Sequence, residues 1–509
     1  MTSELVNIFR PEWTCGRYDE KYRVAIYYNL IEGMAYFFEE ESASVIGEIL
    51  HLGRNGYISI ELLSKNTCLS QDNLKPFLEE LEQLNLVTSF LPSCKVIEKY
   101  RKNLFANKSF IKSDDVPNRD SLPIAKNTAE MEYSDRTRGI GGIMLELTYN
   151  CSEKCIHCYN IGATRNDSEI NYRDVGNNLS LEEYKRIIDD FYDEGLYKVC
   201  LTGGDPFVNP LIWDIIDYLY QKDIAFDIFT NGLILEGKVD RLLNYYPRLV
   251  SVSLYSNEAE VHDYITRVKG SWKKTMKVID DLTKKIVPMT LKCCVMQPNL
   301  KTYRGVAQIG RDYGIPVQFE LNITDSIEGD KCASRHLRLT EEQLEVVLCD
   351  LETPMYVGEE VDNFGAIKRN MEQNGCSAGL DSFNITPDGK LIPCCAFHLE
   401  LGDLHTKSVK EILNHSDLLK WWRDLKLKSF EECGRKEYCD FCNLCPGNNY
   451  SEHGTPVKCS ENNVYMAKVR YNLMLKMKQG NSPLGGKELD EKIADFPEYK
   501  RERLKREVE

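Results

Sequence analysis

Residues 151–159, Cys-Ser-Glu-Lys-Cys-Ile-His-Cys-Tyr, follow directly on Gly142 to Thr148, a segment in which apolar residues alternate. The pattern predicts a strand that ends in a loop carrying three thiols. Thiolate sulfur selects zinc, Cu(I) or iron–sulfur clusters, so this loop is predicted to hold metal. A structural zinc site needs four closed ligands, and the loop offers three cysteines. His157 adjoins Cys158 and is interpreted as a packing residue. Three cysteines suit a four-iron cluster that keeps one iron free.

A second motif supports this interpretation, because Thr202-Gly203-Gly204-Asp205-Pro206 ends the next apolar segment. Together the two motifs resemble those of the radical S-adenosylmethionine (SAM) superfamily, whose fourth iron chelates the amino and carboxylate groups of SAM. The resemblance implies that a [4Fe-4S] cluster is held by Cys151, Cys155 and Cys158. It also implies that the methionine end of SAM lies against Gly203, Gly204 and Asp205. Asp205 replaces the Glu of the family's Gly-Gly-Glu motif, and glycine has no Cβ to obstruct a close approach.

The composition indicates a soluble, multidomain, cytoplasmic chain. At 509 residues it exceeds a single core of about 250–300 residues, so about three domains are expected. No apolar run approaches the roughly 20 residues of a membrane span, and the first residues lack a signal sequence. The net charge of −15 argues against general nucleic-acid binding. Nineteen cysteines then indicate metal ligands and buried thiols rather than disulfides.

Residues 1–110 are predicted to form a small winged-helix-like domain. Apolar periodicity predicts helices over Ser44 to Leu52 and Ser70 to Leu86, and strands over Arg23 to Leu30 and Met34 to Phe38. Tyr57-Ile-Ser-Ile-Glu-Leu is either a strand or the start of a helix. A winged helix is often a DNA reader, but residues 31–48 contain five Glu and no Lys or Arg.

In front of a radical SAM core, this order of elements resembles the peptide-recognition element of peptide-modifying enzymes, where a leader peptide adds a strand to a sheet edge. A domain that docks only onto its own chain is the structural alternative. Residues 111–140 are predicted to be a linker. The polar stretch without sustained periodicity runs from Arg101 to Arg138 and would act as a mobile tether.

Residues 141–340 alternate strand and helix patterns and predict an α/β fold, a partial (β/α)6 TIM-type barrel with its site at the carboxyl ends of parallel strands. The six predicted strands are Ile143 to Thr148, Lys198 to Leu201, Ala225 to Thr230, Leu249 to Tyr255, Thr290 to Met296 and Val317 to Asn322. By family resemblance, Ser253 would bind the SAM ribose and Arg267 its carboxylate. The alternative for each is a helix cap or a surface pair.

A second cysteine-rich region follows a bridging segment, residues 341–375. Cys376, Gly389 and Cys394 fit C-x12-G-x4-C, with Thr386-Pro-Asp-Gly389 as a hairpin turn. Four further cysteines lie within thirteen residues and a fifth follows: Cys433, Cys439, Cys442, Cys445 and Cys459. This density indicates metal, either zinc or iron–sulfur.

The arrangement over residues 376–465 resembles the SPASM extension of radical SAM enzymes, which carries auxiliary four-iron clusters. Its C-x5-C-x2-C-x2-C spacing is a variant associated with thioether-forming maturases. The resemblance assigns Cys433, Cys439, Cys442 and Cys459 to one cluster. Cys376, Cys394 and Cys445 would hold the other, which Cys395 closes or which stays open to a substrate thiolate.

The remaining cysteines lack ligand spacing, and those inside predicted strands, Cys200, Cys293 and Cys294, are interpreted as buried apolar residues. Residues 466–509 are predicted to form a C-terminal helix and a charged, mostly solvated tail.

The resemblance implies a radical SAM peptide maturase of the sactipeptide or ranthipeptide type. Its cofactors would be three [4Fe-4S] clusters and SAM, and its partners a ribosomally made precursor peptide and a flavodoxin or ferredoxin. A 5′-deoxyadenosyl radical would abstract hydrogen from the peptide, and a cysteine sulfur would join the resulting carbon. Alternatives are carbon–carbon cross-linking, epimerisation or residue oxidation, and, from another class, a non-catalytic iron–sulfur redox sensor with a winged helix.

Overall fold

The computed structural model describes residues 7–92, 97, 128–160, 178–325, 335–350, 369–431, 433–479 and 486–499. Most of the predicted linker, together with Cys94 and Cys332, lies outside these residues.

The N-terminal unit contains a three-stranded antiparallel sheet, a two-stranded antiparallel pair and three helices. Its strands are β1 (Asn7–Phe9), β2 (Thr14–Asp19), β3 (Val24–Asn29), β4 (Met34–Glu39) and β5 (Tyr57–Ser59). Its helices are α1 (Glu40–His51), α2 (Ile60–Thr67) and α3 (Gln71–Gln83). The sheet order is β2-β3-β4, and β1 pairs with β5. The ambiguous segment at Tyr57 forms both a strand and a helix start, because the Ser59 hydroxyl accepts a hydrogen bond from Leu62 N and caps α2.

Both faces of this sheet are buried. Ala25 and Tyr27 pack against α1–α3, whereas Ile26 and Tyr28 pack against helix α4 (Thr128–Thr137) and the barrel. Helix α4 lies inside the predicted linker, so residues 128–137 are a packed element and not a mobile tether. The reason is an apolar contact, with Tyr133 fully buried, that a local search for periodicity does not detect.

The barrel consists of six parallel strands, as predicted. They are β6 (Gly142–Glu146), β7 (Lys198–Thr202), β8 (Ala225–Thr230), β9 (Leu249–Ser253), β10 (Met289–Cys294) and β11 (Val317–Glu320). The helices between them are α5 (Leu181–Asp193), α6 (Ile212–Gln221), α7 (Val239–Leu243), α8 (Ala259–Thr266), α9 (Ser271–Lys284) and α10 (Tyr303–Tyr313). Alternate strand residues, such as Val199 and Leu201, pack under these helices, and their neighbours face the lumen.

The barrel sheet continues into the cysteine-rich region. Strand β12 (Ser382–Ile385) pairs in parallel with β6, and β13 (Lys390–Ile392) and β14 (Gly402–Asp403) extend the sheet antiparallel. The sheet therefore has nine strands, in the order β11-β10-β9-β8-β7-β6-β12-β13-β14. Phe383 and Ile385 share one apolar core with the barrel.

The remaining helices are α11 (Glu341–Leu348), α12 (Val409–His415), α13 (Asp417–Asp424), α14 (Pro446–His453), α15 (Glu461–Lys478) and α16 (Gly486–Asp495). Helix α16 lies in the predicted solvated tail, yet Leu489 and Ile493 are buried and Asp490 pairs with Arg304 of α10. That part of the tail is therefore docked on the barrel. Among the described helices, none combines the length and apolarity needed to cross a bilayer.

The N-terminal unit docks on the amino ends of the barrel strands. Arg10, fully buried, forms an ion pair of 2.7 Å with Asp223, two residues before β8. The Tyr28 hydroxyl donates to Glu130 of α4 (2.9 Å), and Glu130 pairs with Lys198, the first residue of β7. The docking face is thus opposite the carboxyl ends, where the first cysteine loop lies.

Candidate functional site

The first cysteine loop begins where β6 ends and is anchored by backbone pairing. Lys154 N donates to Thr266 O and Ile156 N donates to Ile265 O, both at 2.9 Å. These bonds hold the loop against the end of α8. The thiols of Cys151 and Cys158 lie close enough to Cys155 to add to the rise that burial causes in the pKa of the Cys155 thiol.

The chemistry of these thiols fits a metal cluster. Burial, the largest cause, raises the pKa of Cys151, Cys155 and Cys158, so a bound cation is needed to keep them as thiolates. Asn231 Nδ2 donates a hydrogen bond to Cys151 Sγ at 3.3 Å and so positions this thiol. Within the described residues, no three His, Cys, Asp or Glu side chains already close on a single ion.

His157 has the packing role predicted for it. Its ring makes an edge contact with Tyr255, with centroids 4.8 Å apart, and burial lowers its pKa to about 4. It is therefore a neutral imidazole packed behind the loop.

Gly203 and Gly204 are required for a reason that the motif did not indicate. A Cβ on Gly203 would lie 2.2 Å from Thr148 O, and a Cβ on Gly204 would lie 2.3 Å from Asn150 O. Gly204 N donates to Thr148 O at 2.7 Å. The turn therefore packs against the backbone that leads into the cysteine loop, and it positions that loop directly.

Asp205 is fully buried, and its side chain is committed to the protein. Its Oδ2 accepts from Thr230 Oγ1 (2.7 Å) and Asn231 N (2.9 Å), and its Oδ1 accepts from Phe207 N (3.0 Å). The carboxylate ties this turn to the end of β8. A contact with SAM in this region is more consistent with the turn's backbone than with the Asp205 side chain.

Ser253 and Arg267 both lie near the cysteine loop, and they are positioned there by different elements. Ser253 is the last residue of β9 and hydrogen-bonds Tyr255. Arg267 follows Thr266, whose carbonyl holds the loop, and has a left-handed backbone with φ of 56°. Their roles toward SAM stay predictions.

The later cysteines lie in two groups, and their assignment to two clusters stays a prediction. One set lines a small cavity together with Tyr438, Leu444 and Val464, and its members are Cys433, Cys439, Cys442 and Cys459. In the other set, burial raises the pKa of Cys394, and the nearby thiols of Cys395, Cys445 and Cys376 add to that rise. Cys394 and Cys395 follow β13 and do not lie within it.

Cys395 connects this second set to the barrel lumen. Its thiol is hydrogen-bonded to Tyr159, the residue after Cys158, and the Glu146 carboxylate helps to raise its pKa, after burial, to about 11. The two cysteine regions are therefore joined by buried side chains.

Several lumen residues belong to no motif and have no ligand spacing in the sequence. Cys200 and Cys294, interpreted above as apolar core, face the lumen half-buried, whereas Cys293 packs in the core. Glu146, at the carboxyl end of β6, is 1% exposed and was not identified as a site residue. Alternation along β6 and β7 was the signal that could have placed Glu146 and Cys200 on the lumen side.

Comparisons with known proteins agree with this architecture. Residues 145–301 match the radical SAM superfamily, and residues 376–446 match the SPASM iron–sulfur cluster-binding domain. The matched residues contain most of the barrel, with its cysteine loop, and most of the later cysteines, so these two regions are similar to the radical SAM and SPASM domains.

Three relatives show the range of similar proteins. The subtilosin biosynthesis protein AlbA of Bacillus subtilis (strain 168) is 30% identical over 59% of this chain and 65% of AlbA, just under two thirds of that relative. An AdoMet-dependent heme synthase of Methanosarcina barkeri is 22% identical over 61% of this chain and 93% of the relative. A PqqA peptide cyclase of Granulibacter bethesdensis is 23% identical over 53% of this chain and 71% of the relative. The solved structure of anSMEcpe with bound AdoMet has a TM-score of 0.50 at 14% identity, covers 69% of this chain and 98% of its own, and shows the fold alone.

Proposed function

We propose that this chain is a radical SAM maturase that forms sulfur-to-carbon thioethers in a ribosomally made precursor peptide. The observation that carries the proposal is the buried connection, through Tyr159 and Cys395, between the first cysteine loop and the Cys376, Cys394 and Cys445 set. A carbon radical formed at the loop would lie beside a second metal site able to hold a thiolate, and a cluster held there would take up the electron released when the carbon–sulfur bond forms. Similarity to AlbA, a bacteriocin biosynthesis protein, supports a peptide substrate.

The residues have separate tasks in this mechanism. When bound, the clusters and SAM supply the electron and the 5′-deoxyadenosyl radical that removes a hydrogen atom from the peptide. Cys151, Cys155 and Cys158 hold the first cluster, and the Gly203-Gly204 turn keeps that loop in position. Two further clusters are held by the later cysteine sets. The barrel excludes water and orients the target C–H.

Peptide capture is assigned to the N-terminal unit. Strand β4 pairs with β3, and its other edge pairs with no strand in the described part of the chain. Met34, at the start of β4, is 38% exposed, so this edge is accessible to an added strand.

Co-expression with a candidate precursor tests the proposal. The expected product is lighter by two hydrogens for each cross-link, loses one free thiol per cross-link, and fragments as a thioether. A product of unchanged mass contradicts the proposal.

A second candidate is carbon–carbon cross-linking, which the similarity to a PqqA peptide cyclase favours. It predicts the same mass loss with every cysteine thiol still open to alkylation. Iodoacetamide labelling before and after the reaction distinguishes the two.

A further inference from the structure

Glu146 occupies a distinctive position between the two cysteine regions. It is the last residue of β6 and is almost fully buried. Asn384 Nδ2, from the neighbouring β12, donates to Glu146 Oε2 at 3.1 Å, and the Tyr149 hydroxyl lies 3.5 Å from the same oxygen. The carboxyl group is therefore held by the strand that joins the SPASM region to the barrel.

One buried polar atom near Glu146 has no hydrogen-bond partner among the described residues. Asn384 is buried, and its Oδ1 accepts no hydrogen bond within the described residues. A buried acceptor without a donor is costly, so this atom is available to a polar group of a ligand. The amide of Asn384 thus faces both Glu146 and the position of a missing donor.

The groups around Glu146 keep the pKa of its carboxyl group close to neutral pH. Burial raises its pKa to about 7, hydrogen bonds from Asn384 and Tyr149 oppose that rise, and the charge of Asp388 adds to it. The other titratable groups that face it, from the first loop and from the segment after β13, are Tyr159 and Cys395. A carboxyl group with this pKa accepts and releases protons readily.

Other acidic groups near the lumen are committed elsewhere. Asp227 is paired with Arg248, whose Nε lies 2.7 Å from Asp227 Oδ1. Both oxygens of Asp205 accept hydrogen bonds from the protein. Glu320 is exposed at the end of β11. Glu153 is buried too, but its Oε2 accepts a hydrogen bond from Cys155 within the first cysteine loop. Among these carboxylates, only Glu146 is held by β12, the strand that joins the SPASM region to the barrel.

We propose that Glu146 is the proton acceptor for the thiol of the peptide cysteine, an inference that rests on the proposed function. The cysteine S–H bond breaks, an O–H bond forms on the Glu146 carboxylate, and the electron pair stays on sulfur as a thiolate. The hydrogen of the target C–H leaves separately, as an atom, to the 5′-deoxyadenosyl radical. The proton and the hydrogen atom thus have different acceptors, and Glu146 releases its proton to solvent between turnovers.

The test uses the anaerobically reconstituted full chain and a simple thiol, N-acetyl-L-cysteine methyl ester. Its binding is followed between pH 6 and 9 through the electron paramagnetic resonance signal of the reduced clusters. Isotope-edited infrared spectra of ¹³C-glutamate samples, taken as the difference between the native chain and Glu146→Gln, report the protonation of Glu146. The variants are Glu146→Gln, which keeps the shape, and Glu146→Asp, which keeps a carboxyl group. Glu182→Gln, on the outer face of α5, is the matched control.

In the native chain, thiol binding should have its midpoint near pH 7 and should protonate a glutamate. In Glu146→Gln the midpoint should move toward about 8.5, the pKa of a free thiol, so that binding at pH 7 weakens roughly tenfold or more. Glu146→Asp should restore part of the profile, and Glu182→Gln should match the native chain. Equal pH profiles for native and Glu146→Gln, or a native chain whose signal does not respond to the thiol, would overturn the proposal.

The thiol measurement separates this inference from the proposed function. A precursor of unchanged mass after co-expression contradicts peptide thioether formation, whereas it does not alter the pH profile of thiol binding. Conversely, a cross-linked peptide together with an unchanged profile in Glu146→Gln refutes only the role of Glu146.

Discussion

Gly203 determines how closely the second motif approaches the first. Its φ is +131°, and a Cβ at this position would lie only 2.2 Å from Thr148 O, so there is no room for a side chain. Thr148 lies three residues before Cys151, so any shift here displaces the cysteine loop. The glycine therefore has a structural requirement that is independent of SAM.

Replacing Gly203 should lower the stability of the fold even when no cofactor is bound. Gly203→Ala is expected to lower the free energy of unfolding by about 2–4 kcal/mol, because backbone must move to relieve the contact. Gly237→Ala is the matched control: its φ is +73° and its Cβ would meet open space, so it should cost only about 1 kcal/mol. Urea denaturation of both variants measures the difference, and equal costs would contradict the close-contact explanation.

The raised pKa of Glu146 has a consequence for stability. A carboxyl group whose pKa is about 7 when folded and about 4.3 when unfolded binds more protons in the folded state between these values. Its contribution to stability therefore falls as pH rises through this window. Glu146→Gln removes this dependence and should be more stable than the native chain at pH 8, by up to about 3 kcal/mol, with little difference at pH 4.5. Thermal melts at both pH values test this, and the same difference at each would refute the raised pKa.

At the scale of elements, helix α4 and the first strands attach the N-terminal unit to the barrel. Arg10 has a side-chain exposure of 0% and depends on Asp223 for charge compensation. Arg54 lies 3.3 Å from the same carboxylate. One acidic side chain thus compensates two arginines at this junction.

Asp223→Ala should loosen the N-terminal unit, because it leaves a buried guanidinium unpaired at a cost of about 3–5 kcal/mol. Hydrogen exchange in β2–β4 should accelerate. Arg136→Ala removes an exposed pair with Glu39, at 62% and 51% exposure, and should change stability by less than about 1 kcal/mol. Equal exchange in the two variants would show that the buried pair does not hold the junction.

The open edge of β4 allows a selective test of peptide capture. Glu40 N donates to Arg23 O, and hydrogen-bonded pairs alternate along β3 and β4, so the Ala35 N–H points away from β3. Ala35→Pro should therefore retain the sheet and weaken binding of a fluorescent precursor about tenfold, because one edge donor is lost. Ala35→Gly keeps the N–H and serves as the control. Unchanged affinity in a folded Ala35→Pro variant would place the peptide elsewhere.

At the scale of the whole molecule, the docking face and the catalytic face lie at opposite ends of the barrel. A strand of five residues spans about 17 Å, so a peptide held at β4 has to pass along the barrel wall. One core shared by β6 and β12 holds the later cysteines beside the first loop. The distance between the cysteine regions is therefore set by strand pairing.

Metal content tests this arrangement of sites. Three four-iron clusters correspond to about 12 iron atoms per chain. Replacing Cys151, Cys155 and Cys158 together by alanine should lower iron to about 8 and abolish formation of 5′-deoxyadenosine from SAM. The later sets should keep their resonance signals. Zinc in place of iron at the first loop would contradict the assignment.

Much of the barrel and both cysteine sets could be predicted from local pattern. The segments at Ala225 and Lys198 have strand periodicity, and cysteine spacing is a property of neighbouring residues. The role of Asp205 could not be predicted, because its partners Thr230 and Asn231 are 25 and 26 residues away. The packing of α4 escaped prediction since its apolar partners lie in β3, β4 and the barrel.

The sequence by itself determined the chemistry that this protein can hold: the three-cysteine loop, the glycine turn after β7 and the later cysteines are short-range patterns whose spacing carries their meaning. Only the tertiary structure decided which groups surround that chemistry. The pairing of β12 with β6 brings Asn384 and Cys395 to Glu146, and docking at the amino ends places the N-terminal unit opposite the cysteine loop. Burial and pKa arise from contacts between residues hundreds of positions apart, and no local window of sequence contains them.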